Sequence, residues 1–189
     1  MRKKIYYTIC IILCLGFALS VLKPDKNKKI LEEIVSEWNS RKIILPDTII
    51  YYKYGIELVN FNDSSSYKIL CYTNRDGCMS CKLKLSDWKQ FINKLNSLPY
   101  KVPIIFVMNT DNIMDLRKLL RDENFSYPIL IDTKDYVNTI NRFPTNPRFQ
   151  TFLLNQKNEV ILIGNPVYSQ AIEDLYLTFL KEKAFNINH

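Results

Sequence analysis

The strongest constraint on this chain is the alternation of short apolar runs with helical patterns between residues 67 and 132. Residues 67–73 (YKILCYT), 102–108 (VPIIFVM) and 127–132 (YPILID) are each too short for a buried helix and carry the Ile, Val, Tyr and Phe of buried strands. Between them the pattern turns helical from Cys78, with Cys81, Leu85, Trp88, Phe91, Ile92, Leu95 and Leu98 on one face, and again in residues 111–124, with Ile113, Leu116, Leu119 and Leu120 inward. Strand–helix–strand–helix–strand order implies a parallel core joined by right-handed crossovers. Further on, residues 150–154 and 159–163 bracket Asn155-Gln156-Lys157-Asn158, the pattern of an antiparallel hairpin at one edge. Residues 171–181 form a closing helix through Ile172, Leu175, Tyr176 and Phe179. A short helix is expected over 133–142, a strand over 48–54, a polar turn over 60–66, and a helix over 25–41 from Ile30, Leu31, Ile34, Val35 and Trp38. The fold class is therefore α/β, a three-layer α/β/α sandwich on a mixed sheet.

Composition removes many functions. The lone histidine is His189, the last residue, so there is no interior histidine for a Ser-His or Cys-His pair or a His-based metal site. Four glycines and no GxGxxG or Walker-type run argue against a phosphate loop. The net charge of +7 is spread over the chain, apart from small clusters at Arg2, Lys3, Lys4 and at Lys26, Lys28, Lys29. With no recognition motif beside it, that charge reads as solvated surface and membrane flank, not as a nucleic-acid site.

Arg2, Lys3 and Lys4 precede an uncharged apolar run that opens at Ile5 and closes at Leu22. Its eighteen residues reach about 27 Å as a helix, against about 30 Å for a bilayer core. The run exceeds an ordinary signal-peptide core, which favours an uncleaved signal-anchor; a cleaved leader with Ala18-Leu19-Ser20 at its end is the alternative. Cys14 as a lipidation site is disfavoured, because Leu13 stands where a small residue belongs. Each reading delivers the remainder to the outer side of a membrane. The organisation is then residues 1–24 as anchor or signal peptide, 25–47 as helical linker, 48–183 as the α/β domain and 184–189 as tail.

Chemistry concentrates in Cys78-Met79-Ser80-Cys81, between the end of the first core strand and the start of the following helical pattern. Residues three apart on a helix share a face about 5–6 Å apart at Cβ, close to disulfide reach. A cysteine at a helix N-terminus meets unpaired N–H groups and the positive end of the dipole, which favour thiolate. Cys78 is then the attacking sulfur and Cys81 the resolving one. Lys82 and Lys84 add positive potential; Asp76 opposes it. A permanent disulfide or a pair of inert thiols is the plain structural alternative. Structural zinc wants four ligands, usually two such pairs, and this chain has one. Cys71, inside the preceding strand, reads as an inert core thiol.

On these residues the chain resembles the thioredoxin superfamily, and most of all its membrane-anchored or exported, redoxin-type disulfide reductases. The resemblance covers about residues 48–183. It rests on YKILCYT, on the junction Gly77-Cys78-Met79-Ser80-Cys81 and on the hairpin strands TFLLN and VILIG. It implies a thiol–disulfide oxidoreductase without cofactor or metal. Its catalytic residues would be Cys78 and Cys81, with Gly77, Met79, Ser80 and Pro147 touching substrate. Its partners would be exported cysteine-containing proteins and a membrane electron donor, on the periplasmic side of a bacterial inner membrane. It also implies a cis-proline just before the hairpin, for which Pro147 and Pro144 are the nearest residues. Gly77 replaces the family's tryptophan, Met79-Ser80 its usual Gly-Pro, and Tyr72 its buried acid six residues before the first cysteine. Two other readings stay open: a copper-binding module using the same two thiolates, and a scaffold without catalysis.

Overall fold

The computed structural model describes residues 26–46, 51–53, 56–58, 65–76 and 83–187. These fall into two compact units, one ending at Glu37 and the other beginning at Trp38. The first contributes most of helix α1 (Lys26–Trp38), whose ion pairs Lys28–Glu32 and Lys29–Glu33 line its polar side. The apolar run at residues 5–22 lies outside the described residues. Among those described, no helix is long and apolar enough to cross a membrane.

The second unit is built on a seven-stranded sheet. Its strands are β1 (Tyr51–Lys53), β2 (Ile56–Leu58), β3 (Tyr67–Thr73), β4 (Ile104–Met108), β5 (Ile129–Ile131), β6 (Thr151–Asn155) and β7 (Val160–Ile163), in the order β2-β1-β5-β4-β3-β6-β7. β3, β4 and β5 are parallel, with Cys71 beside Phe106 and Phe106 beside Ile129. β6 runs antiparallel to β3, and β7 closes the expected hairpin. β3 and β4 are buried on both faces, which is why they read as unbroken apolar runs. The fold class expected from the alternation is present. The sequence reading placed one strand over 48–54; the sheet instead carries a β1–β2 hairpin there, added antiparallel to β5.

Among the described residues its named helices are α2 (Leu85–Asn96), α3 (Ile113–Asp122), α4 (Tyr136–Asn141) and α5 (Gln170–Ile187). Trp88, Phe91, Leu95, Leu116, Leu120, Tyr176 and Leu180 join Ile69, Cys71, Ile104 and Phe106 in one core, so α2, α3 and α5 cover one face. Side chains alternate along a strand, so Leu70 and Tyr72 point to the other face. There Trp38, Phe143, Phe152 and Tyr72 pack ring on ring, with centroids 4.9 Å apart for Trp38–Phe152 and 5.0 Å for Tyr72–Phe143. α5 continues to Ile187, into the expected tail.

The compact unit begins before Thr48, because residues 38–46, read as the end of a linker, are part of it. Trp38 and Ile43 are fully buried. Ser40 and Ile43 donate backbone hydrogen bonds to Val160 and Asn158, covering the open edge of β7. The buried Asn141 side chain accepts from the Ile44 N–H and donates to its carbonyl, imitating a strand partner. The hairpin turn is set by Asn155, whose side chain accepts from Lys157 and Glu159 N–H while Asn158 takes φ 64°.

Two substitutions test this packing. Trp38→Ala empties the ring cluster and is expected to cost about 3–5 kcal/mol in urea unfolding. Cys71 is buried, and burial pushes its thiol from 9.0 to about 12 against the weaker pull of the Thr151 and Thr73 hydroxyls. A pKa raised by folding contributes stability that is complete below the unfolded value and lost as pH climbs to the folded one. The urea midpoint is therefore expected to fall between pH 9 and 12, and less steeply in Cys71→Ala.

Candidate functional site

Because β3, β4 and β5 are parallel, the segments leaving Thr73, Met108 and Ile131 emerge on one edge of the sheet. The chain moves from β3 to β4 and β5 on one side and then returns to place β6 on the other. The reversal therefore falls at β3, and the crevice outside a reversal point is where open α/β sheets place their sites. Gly77, Cys78, Met79, Ser80 and Cys81 follow β3 at this edge in sequence, and they lie outside the described residues. The chain resumes at Leu83, which is buried in the α2 face of the core.

The described residues on either side of this run form two polar clusters. On the β3 side, Arg75 clamps the three strand exits together. Its Nε donates to Asn109 Oδ1 at 3.2 Å, one terminal nitrogen to Asp111 at 2.7 Å, and the other to the Thr133 carbonyl at 3.0 Å. Below it, the Tyr72 hydroxyl donates to Asp135 Oδ1 at 2.6 Å, and Asn138 donates to the second oxygen of the same carboxylate. Burial first, and then the Asp135 carboxylate, push the Tyr72 phenol well above its usual range, so it stays protonated and donating at neutral pH. Asp135 sits at φ 55°, a left-handed conformation uncommon outside glycine, held by these bonds at the start of α4. Asp132 stands just before it, buried and accepting from the Tyr136 and Val137 N–H groups at 2.9 and 2.8 Å. Tyr72, Arg75, Asn109, Asp135 and Asn138, together with Pro144, Thr145 and Gln150, line a polar cleft of about 330 Å³.

On the helix side, Lys84 takes φ 44°, ψ 47° immediately before α2. The helical pattern expected from Cys78 begins outside the described residues; Leu83 is helical, and the pattern is interrupted at Lys84 before α2 starts at Leu85, because a left-handed residue cannot continue a right-handed helix. The Lys84 ammonium reaches the Val167 carbonyl at 3.3 Å, lies 4.6 Å from the Tyr168 ring centre, and pairs with Asp87 at 3.6 Å. It thus ties the start of α2 to the turn Pro166–Tyr168 after the hairpin.

Of the site residues expected from sequence, Pro147 alone lies among those described. It opens a short 3-10 turn, Pro147–Phe149, capped by the Asn146 side chain accepting from the Arg148 N–H. The peptide bonds preceding Pro144 and Pro147 are trans, unlike the cis-proline implied by the resemblance. The backbone at this point is used by Gln150, whose carbonyl accepts from the Tyr72 N–H. Cys71 is buried in the core, and burial holds its thiol protonated at neutral pH. The sequence reading missed Arg75, Asn109, Asp132 and Asp135, each of which stands within four residues after a strand. Polar residues at successive strand exits were the available signal.

Tyr72→Phe removes the phenol–carboxylate bond inside the cleft and is expected to cost about 1–3 kcal/mol in urea unfolding. Arg75→Ala, whose pair with Asp111 is largely exposed, is expected to cost less than about 1 kcal/mol.

No protein-family profile and no curated protein sequence matches the chain. Solved structures do. The bacterioferritin comigratory protein of Xanthomonas campestris, solved in a study of its alkyl peroxide reduction, superposes with a TM-score of 0.53 at 15% identity, over 75% of this chain and 98% of its own. A putative electron transfer protein from Aquifex aeolicus gives 0.53 at 15% identity, over 76% and 97%. A thioredoxin-like protein from Bacteroides caccae gives 0.50 at 20% identity, over 84% of this chain and 57% of its own. At these identities the likeness speaks for the fold: the chain carries a thioredoxin-like fold.

Proposed function

We propose that the protein is an exported thiol–disulfide oxidoreductase, held to the outer face of a membrane by residues 5–22, that works through Cys78 and Cys81. The observation that carries the reading is the position of the Cys-Met-Ser-Cys run in the chain order. In sequence it follows β3 and precedes α2, and the described residues on its two sides, Arg75 and Lys84, stand at the exit of β3 and the start of α2 in a thioredoxin-like fold. The likeness to proteins described as peroxide-reducing and electron-transferring supports thiol redox chemistry in general.

In the direction of reduction, the Cys78 thiolate attacks one sulfur of a substrate disulfide. A mixed disulfide forms, and the other substrate sulfur leaves as a thiolate that takes up a proton. Cys81, as thiolate, then attacks the Cys78 sulfur. The mixed disulfide breaks, the second substrate thiol is released, and Cys78–Cys81 is left oxidised. Two electrons have passed from the dithiol to the substrate. A membrane dithiol donor restores the reduced pair by the same exchange. Arg75 and Lys84 bracket the run and fix the segments on either side of it, which favours a reproducible approach of the two sulfurs.

The test is disulfide reduction by the full chain with a dithiol donor. Cys78→Ser is expected to lose activity to the level of the blank. Cys81→Ser is expected to lose turnover while trapping a mixed disulfide on Cys78. Full activity in Cys78→Ser would refute the assignment. Reduction of an alkyl peroxide, abolished by the same substitution, with no exchange of protein disulfides, would move the substrate to peroxides.

A further inference from the structure

Helix α1 has an apolar face without a described partner. Ile30, Leu31, Ile34 and Val35 form one sector of it, and Ile30, Leu31 and Val35 are 53%, 44% and 44% exposed. The same sector ends at Trp38, which is buried in the core of the second unit. On the opposite side, Glu32 and Glu33 pair with Lys28 and Lys29 one turn away. Large apolar side chains grouped this way on a helix mark a surface that meets something.

We infer that this face of α1 lies in the interfacial layer of an anionic lipid bilayer, next to the point where the chain leaves the membrane. Two observations name the occupant. Only three residues separate Leu22, the end of the apolar run, from Lys26, the first residue of α1. At no more than about 3.6 Å per residue, such a stretch holds the start of α1 within about 14 Å of the run's end, in or just beyond a headgroup layer about 5–8 Å deep. Lys23, Lys26, Lys28 and Lys29 crowd this junction against a single acid, Asp25, while Glu32, Glu33 and Glu37 come later in the helix. A lysine cluster directly after a spanning segment is drawn to anionic headgroups, and a helix with one apolar face lies flat at the boundary of headgroup and acyl chain. The inference rests on the membrane attachment proposed above and is independent of the dithiol chemistry.

The experiment uses the full chain reconstituted into phosphatidylcholine–phosphatidylglycerol vesicles containing brominated lipid, isolated by flotation. Val35→Trp places a reporter on the apolar face, Ile30→Trp repeats it one turn earlier, and Glu33→Trp marks the opposite side; Trp38 and Trp88 supply a buried background. The two apolar-face reporters are expected to be quenched at least about twofold, and the Glu33→Trp reporter little, as for a helix buried on one side. Floating chains in which all three reporters escape quenching would overturn the interfacial helix while leaving the anchor standing. Apolar-face reporters that are unquenched but become shielded as protein density in the vesicles rises would assign the face to a second copy instead. Chains that fail to float would overturn the anchor and this inference together.

Discussion

The pairing of β3 on both sides is the constraint from which the rest follows. β3 is parallel to β4 and antiparallel to β6. Five successive residues from Lys68 to Tyr72 are buried, so the strand can be neither shifted nor flipped without exposing a row of apolar side chains or burying polar ones. Its odd face, Ile69 and Cys71, closes the core under α2, α3 and α5. Its even face, Leu70 and Tyr72, closes the ring cluster with Phe143, Phe152 and Trp38. The segment that leaves β3 is therefore delivered to a fixed place, at the point where strand order reverses.

That place is built from parts distant in the chain. Arg75 comes from the exit of β3, Asn109 and Asp111 from that of β4, Thr133 and Asp135 from that of β5, and Gln150 from the entry to β6. Of these, Arg75, Asn109, Asp135 and Gln150 line the cleft, while Asp111 and Thr133 accept hydrogen bonds from Arg75. Tyr72 occupies the position where the resemblance implies a buried acid, and its hydroxyl is a committed donor to Asp135. Proton handling at this edge therefore differs from that expected of a buried carboxyl at position 72. The carboxylate present comes from the loop after β5, held in a strained backbone by two hydrogen bonds.

Much of this was legible in the chain. Short apolar runs separated by helical patterns can hardly pack except as a covered parallel sheet, and the Asn-rich turn at 155–158 announces a hairpin. What stayed hidden has physical reasons. β2 is three residues long, too short to show a period. The union of Trp38 and Ile43 with the core depends on tertiary contacts with Phe152 and Asn158, not on local pattern. The left-handed conformation of Lys84 has no residue-type signal, since lysine seldom adopts it; its side chain makes a tertiary hydrogen bond to Val167 and a local ion pair with Asp87. The cleft residues share no spacing, because the sheet, not the sequence, brings them together.

The central claim is that Cys78 and Cys81 exchange two electrons as a pair. A redox titration of the full chain against glutathione or dithiothreitol buffers, read by thiol alkylation and mass, tests it most directly. The account predicts a single two-electron transition assigned to Cys78 and Cys81, with a midpoint in the span of known exchange proteins, about −120 to −270 mV. Cys71 stays reduced throughout. Independent titration of the two thiols, or no disulfide between them under any buffer, would contradict it.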